Sequence, residues 1–96
     1  MKDDITQDSW LLKELQNAEF AAEFLNAASE DDDPKTYLTA LRKVVEARGG
    51  MASVAERTQL SRETLYRTLS SRGNPTIKTL HAILKATGLR FAVSAH

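Results

Sequence analysis

Apolar positions along this 96-residue chain recur at helical spacing in six stretches and at period two in one. Trp10, Leu11 and Leu15 give one side to a short helix from Trp10 to about Gln16, with Ser9 placed to cap it. Asn17 caps a second helix, about Ala18 to Ser29, in which Phe20, Phe24, Ala27 and Ala28 share a face and Ala21 and Leu25 widen it. The run Glu30-Asp31-Asp32-Asp33 stops that helix, because carboxylates repel the negative end of its dipole. Asp33-Pro34 starts a third, an N-cap carboxylate followed by proline in the first turn. It runs to Arg48 on a stripe of Leu38, Leu41 and Val45, with Tyr37 and Val44 beside it, until Gly49-Gly50 ends it. Met51 to Thr58 forms a fourth helix with Val54 and Ala55 inward. Ser61 caps a fifth, Arg62 to about Ser70, anchored by Leu65 and Leu69. After the turn Arg72-Gly73-Asn74-Pro75, Thr76 caps a sixth with Ile77, Leu80, Ile83 and Leu84 inward and Gly88 at its end. Leu89, Phe91 and Val93 then alternate with Arg90, Ala92 and Ser94, the pattern of a short strand. No second strand lies upstream, so these residues either form an interface with another chain or lie as an apolar tail on the last helix.

Composition narrows the class. A hydrophobic content of 42% supports one modest core. Without cysteine there is no disulfide framework, thiolate zinc site or thiol nucleophile. No apolar run reaches the length of a membrane span, and the acidic start MKDDITQDSW is unlike a signal peptide, so a cytoplasmic protein with no membrane partner is expected. The formal net charge of zero conceals a division. Residues 1–34 carry ten acidic and two basic side chains, net −8, and residues 35–96 carry eleven basic and three acidic, net +8. Such asymmetry suits two different partners, one of them polyanionic, although an acidic block also serves simply as a solvated face.

The chemistry concentrates on the fifth helix. Leu65 and Leu69 turn one side inward, which leaves Arg62, Glu63, Thr64 and Arg67 on the other. Guanidinium groups pair with guanine O6 and N7, a carboxylate accepts from cytosine N4, and a threonine meets a thymine methyl or a phosphate, so these four are the candidate base contacts. Arg72 and Lys78 supply phosphate affinity through counterion release, and Ser53, Ser61, Asn74 and Thr76 add neutral donors, which makes these six the candidate phosphate contacts. Tyr66 either packs against a neighbouring helix or reaches a phosphate.

The window VAERTQLSRETLYRTLSSRGNPT resembles the Xre/Cro-type repressors, and the longer pattern GM-x-x-VA, LSRETLYR, GNPT and TLxxILKATGL resembles the addiction-module antidote proteins, the HigA-like antitoxins encoded beside a small toxin. The resemblance covers about Leu25 to Val93. It implies an all-α fold, a lambda-repressor-like helix-turn-helix bundle, here with two extra N-terminal helices and a short C-terminal β-strand. The charge reversal at Asp33-Pro34 divides the chain into an acidic helical segment, 1–32, and a DNA-binding domain with the C-terminal strand, 33–96. The resemblance implies an antitoxin of a type II module that binds a small basic toxin of the RelE, ParE or HigB kind and represses its own operon as a homodimer on double-stranded operator DNA. Two positions depart from the family pattern: Gln59 stands where the turn usually has glycine, and Met51 where a bracing glutamine is common.

An antitoxin needs a second surface. The acidic segment with Trp10, Phe20 and Phe24 is one candidate, and Leu89, Phe91 and Val93 of the terminal strand are another. A stand-alone repressor whose N-terminal helices only stabilise or dimerise it is the alternative. An enzyme is not expected. His81 reads as a surface or boundary residue, Asp31-Asp32-Asp33 lacks the alternate spacing of a calcium loop, and no glycine-rich phosphate loop or nucleophile elbow is present. No metal or other cofactor is implied.

Overall fold

The computed structural model describes residues 9–93 and 95. Regular structure among them is helical throughout: α1 over 9–14, α2 (Ala18–Ser29), α3 (Pro34–Ala47), α4 (Gly50–Thr58), α5 (Arg62–Thr68) and α6 (Ile77–Ala86). The first eight residues of the acidic segment, Ser94 of the alternating tail and the terminal His96 lie outside the described residues.

The helix starts are set by short-range hydrogen bonds. Asn17 Oδ1 accepts from the Phe20 N–H at 3.0 Å, Asp33 Oδ1 from Lys35 at 3.0 Å, Ser61 Oγ from Thr64 at 3.0 Å and Thr76 Oγ1 from Thr79 at 3.1 Å. Each cap is worth about 1 kcal/mol against alanine. Ser9 does not act this way, because it already lies within α1. Asp31 closes the acidic turn: its carboxylate accepts from the Asp33 N–H at 2.8 Å and from the Thr36 hydroxyl at 3.0 Å. These two donors hold its carboxyl below the ordinary 3.8.

One core unites the helices. α2 lies on α3, α3 on α4, and α4 on both α5 and α6. Leu15 follows α1 and is fully buried, as are Leu41, Val44 and Val45 of α3, Val54 of α4, Leu65 of α5 and Ile83 of α6. Ala21 and Leu25 of α2 belong to the same cluster. The acidic helices therefore share apolar packing with the basic ones. Half-burial of Tyr37 beside this core pushes its phenol above the ordinary 10.0.

Arg48, the residue after α3, ties three chain segments together. Its Nε donates to the Thr87 carbonyl at 2.7 Å and its Nη1 to the Gln16 carbonyl at 2.6 Å. Thr87 ends α6, where the unpaired carbonyls carry partial negative charge, so a guanidinium is favoured there. Gly88, at φ 83°, completes the fit, since a Cβ there would lie 3.1 Å from Arg48 Nη2.

Two expectations are corrected. The short C-terminal β-strand is absent: among the described residues there is no strand, and 89–93 are irregular. A lone strand would leave its backbone groups without partners, whereas closure after α6 satisfies the first of them locally. The Gly88 N–H reaches the Lys85 carbonyl at 3.0 Å and the Leu89 N–H reaches the Leu84 carbonyl at 2.9 Å. Leu89 then packs against the core, the Phe91 ring lies on His81 with centroids 4.7 Å apart, and Val93 is 99% exposed. Ile77, placed inward by its spacing, is 68% exposed. It is the first residue of α6, beyond the edge of the core that Ile83 and Leu84 fill.

Replacing Arg48 by alanine leaves the Gln16 and Thr87 carbonyls without their charged donor. Arg48→Ala should lower stability by about 2 kcal/mol, within the range for hydrogen bonds to charged groups. Arg48→Lys should recover only part, because one ammonium cannot match the planar fork. Urea unfolding midpoints check both.

Candidate nucleic-acid interface

α4 and α5 are joined by Gln59, Leu60 and Ser61. Thr58 at the end of α4 turns its hydroxyl back onto the Val54 carbonyl at 2.8 Å. Gln59 then adopts φ 63° and ψ 24°, the left-handed conformation, and is the one non-glycine residue with positive φ among those described. That geometry lets the Leu60 N–H reach the Ala55 carbonyl at 3.0 Å. A side chain in this region costs roughly 1 kcal/mol, so the departure from glycine leaves the turn's shape unchanged and lowers its stability.

The turn aims α5, whose seven residues are too few for a stable isolated helix. Leu65 and Leu69, both buried, hold it to the core. Its outward edge carries Arg62, Glu63 and Arg67, all exposed. Arg67 Nη2 lies 3.5 Å from Glu63 Oε1, with the two side chains 70% and 86% exposed. So open a pair contributes little and leaves the guanidinium free to take another acceptor. Thr64 sits differently. It is half-buried, and its hydroxyl oxygen accepts from Ser61 Oγ at 2.8 Å, so both residues are engaged in the cap.

The remaining candidate phosphate contacts lie on two segments. Arg72, Asn74, Thr76 and Lys78 are exposed along the turn into α6, while Ser53 is half-buried on α4. Gly73 lets this turn fold tightly against α5, because a Cβ there would come 1.9 Å from the Thr68 carbonyl oxygen. In space the division of charge is less clean than in sequence. Asp31 and Asp32 line a groove of about 490 Å³ whose other wall includes Ser71, Asn74 and Pro75. The acidic turn thus faces the stretch that carries four of the phosphate candidates.

Sequence reasoning missed one contact at this surface. The Arg42 guanidinium of α3 lies over the Tyr66 ring of α5, 5.2 Å from its centroid. Tyr66 remains 39% exposed, so it neither packs inward nor stands alone. Nothing in its own stretch of sequence marks Arg42, because the ring it meets lies on another helix.

The second surface is built on α1 and α2. Trp10 is 59% exposed and meets the half-buried Phe20 edge-on, with centroids 6.3 Å apart at 90°. Glu19, Glu23 and Glu30 are exposed along the same helix and its end. Phe24 instead lines a groove between α2 and α3 whose rim carries Lys35 and Lys43. Of the terminal candidates, Leu89 is half-buried, Phe91 lies against His81 with its outer side exposed, and Val93 faces outward. Among the described residues no cluster of three or more metal-ligating side chains occurs.

Residues 7–95 match the family described as probable addiction module antidote protein. An uncharacterized protein of Haemophilus influenzae is 39% identical over 70 residues, which cover 73% of this chain and 71% of that protein. No solved structure matches the chain.

The strained turn gives a direct check. Gln59→Gly should raise stability by about 1 kcal/mol and Gln59→Val should lower it, because a β-branched residue tolerates positive φ least. Thermal unfolding of the two variants beside the wild type measures both shifts.

Proposed function

The chain belongs to the probable addiction module antidote family, and we propose that it neutralises a small basic toxin of the RelE, ParE or HigB kind by direct binding and represses its own operon as an Xre-type, HigA-like dimer. Family membership supplies the antitoxin role and a toxin as partner. The observation that carries the DNA half is the outward edge of α5: Arg62, Glu63 and Arg67 stand clear of the body while Leu65 and Leu69 fix the helix behind them. α4, the turn and α5 act as a helix-turn-helix, with α5 laid into the major groove. Arg62 and Arg67 take guanine edges and Glu63 a cytosine amine. Thr64 and Ser61 serve through the backbone they cap, and Ser53, Arg72, Asn74, Thr76 and Lys78 position the duplex by its phosphates. Two copies are needed, because one recognition helix spans too few base pairs to single out an operator.

The toxin surface is the outer side of α1 and α2. Glu19, Glu23 and Glu30 speed encounter with a basic partner, and Trp10 with Phe20 provides the apolar anchor that slows release. Phe24, ringed by lysines, belongs at its margin. Among the described residues no helix is long and apolar enough to cross a membrane, and a repressor of its own operon works in the cytoplasm.

Two experiments test the halves separately. On duplex DNA from upstream of the gene, Arg67→Ala should cost about 1–3 kcal/mol at one base position. Lys78→Ala should weaken all sequences alike and reduce the salt dependence by about one phosphate. Operator preference unchanged in Arg67→Ala would mean that α5 docks otherwise. For the toxin, Glu19→Lys with Glu23→Lys keeps the buried residues of α2 and should reduce co-purification with the neighbouring gene's product at least tenfold. Undiminished recovery would move the toxin to another face.

A further inference from the structure

We propose that Arg42 of α3 is an additional phosphate contact for bound DNA and that the Tyr66 ring is the residue that positions it. The inference rests on the docking of α5 described above and extends the contact surface to a helix outside the α4–α5 unit.

Three observations carry it. Arg42 is half-buried on α3, yet its guanidinium lies over the ring of Tyr66 on α5 at 5.2 Å from the centroid. Among the described residues no carboxylate pairs with it. Tyr66 follows Arg62 by four positions and directly precedes Arg67, so its ring sits on the row that faces DNA and keeps 39% of its surface exposed. A guanidinium of α3 is thereby brought over the helix that carries Arg62 and Arg67. Like charges repel, and an arginine with no acid to hold it would ordinarily extend into water. The ring supplies what offsets this: its negative face attracts the cation within about 6 Å of the centroid, and a ring face takes up none of the guanidinium's N–H donors. A cation held without a carboxylate retains its full charge for a phosphate oxygen. The pair also bridges α3 and α5, so the contact comes from a rigid helix rather than from a mobile turn.

The salt dependence of DNA binding separates this role from a merely structural one, because one phosphate contact changes the slope of log K against log salt by about 0.9. Wild type, Arg42→Gln, Arg42→Lys, Tyr66→Phe and Tyr66→Leu would be titrated with duplex DNA from upstream of the gene and with a scrambled duplex, between 50 and 200 mM salt. Thermal unfolding would confirm that each variant is folded. Across that range the affinity of Arg42→Gln should fall roughly threefold less than that of wild type. Its preference for the upstream duplex over the scrambled one should be unchanged, since phosphates carry no sequence. Arg42→Lys should keep the wild-type slope. Tyr66→Phe should keep it too, because the ring and not the hydroxyl does the positioning, whereas Tyr66→Leu should shift towards Arg42→Gln. A wild-type slope in Arg42→Gln overturns the contact, and a wild-type slope in Tyr66→Leu overturns the positioning by the ring. If wild type binds neither duplex, the DNA reading itself fails and this proposal with it. Wild-type binding with an unaltered variant slope would overturn this proposal alone.

Discussion

The Arg48 guanidinium is the interaction on which the arrangement of the chain depends. It stands where α3 ends and donates to the carbonyl of Gln16, after α1, and to that of Thr87, after α6. These segments are 32 and 39 residues away in sequence, and among the described residues no backbone hydrogen bond links them to it. A helical bundle satisfies its own hydrogen bonds within each helix, so the helix ends are where extra bonds can join one element to another. Arg48 fills two such ends with one rigid cation. Arg57 adds a longer contact of 3.4 Å to the Ala86 carbonyl at the same place. The C-terminus of α6 thereby receives two positive groups, which suits the sign of its dipole.

Sharing one core has a consequence for the short helix α5. Seven residues cannot stay helical alone, and α5 does so because Leu65 and Leu69 are inserted among side chains from neighbouring helices. Its stability is thus borrowed from packing, which leaves the residues on its outward edge unconstrained by folding. Arg62, Glu63 and Arg67 bury nothing and brace nothing. The same division holds in α2, where Ala21 and Leu25 face the core and the glutamates face water. Each acidic or basic surface is carried on a helix whose other side is fixed in common packing. Cutting the acidic helices away would uncover the side of α3 on which α2 lies, so point changes on the exposed side are the informative perturbation.

What was legible in the sequence was local. Asn17, Asp33, Ser61 and Thr76 each cap a helix through a contact two or three residues away, and both partners are visible in one short window. Most inward faces followed from spacing for the same reason, as did the exposed edge of α5. On α2 the face was misplaced, since Ala21 and Leu25 are buried while Ala27 is exposed and Phe20 and Phe24 are only half-buried. Failures came where distant residues decide. The alternation of Leu89, Phe91 and Val93 is a genuine period-two pattern, but a strand needs a partner that no window contains, and the tail closes onto Leu84 and His81 instead. Ile77 has the right phase on α6 and the wrong height, since phase does not tell where a core ends. Arg48 and Arg42 are unremarkable in sequence because their partners lie on other helices. Gln59 fell between these cases: the departure from glycine was visible, and which way the turn would resolve it was not.

Electrostatics sets an order among the candidate phosphate contacts. The whole chain carries no net charge, so a duplex at long range meets no overall attraction and is drawn only by local patches. At physiological salt the screening length is about 8 Å, and each patch is judged by its immediate neighbours. Asn74 fares poorly on that test, because Asp31 and Asp32 line the same groove and are held there by the Asp33–Thr36 turn. Two hydrogen-bond donors hold the Asp31 carboxyl below its ordinary 3.8, in the direction that keeps this charge in place. At the edge that carries Arg62 and Arg67, the one ion pair among the described residues is the open, weakly bound contact of Arg67 with Glu63. Under the proposed DNA reading, a duplex would therefore gain most by settling on α5 and its α3 side, with the turn into α6 as the weaker flank.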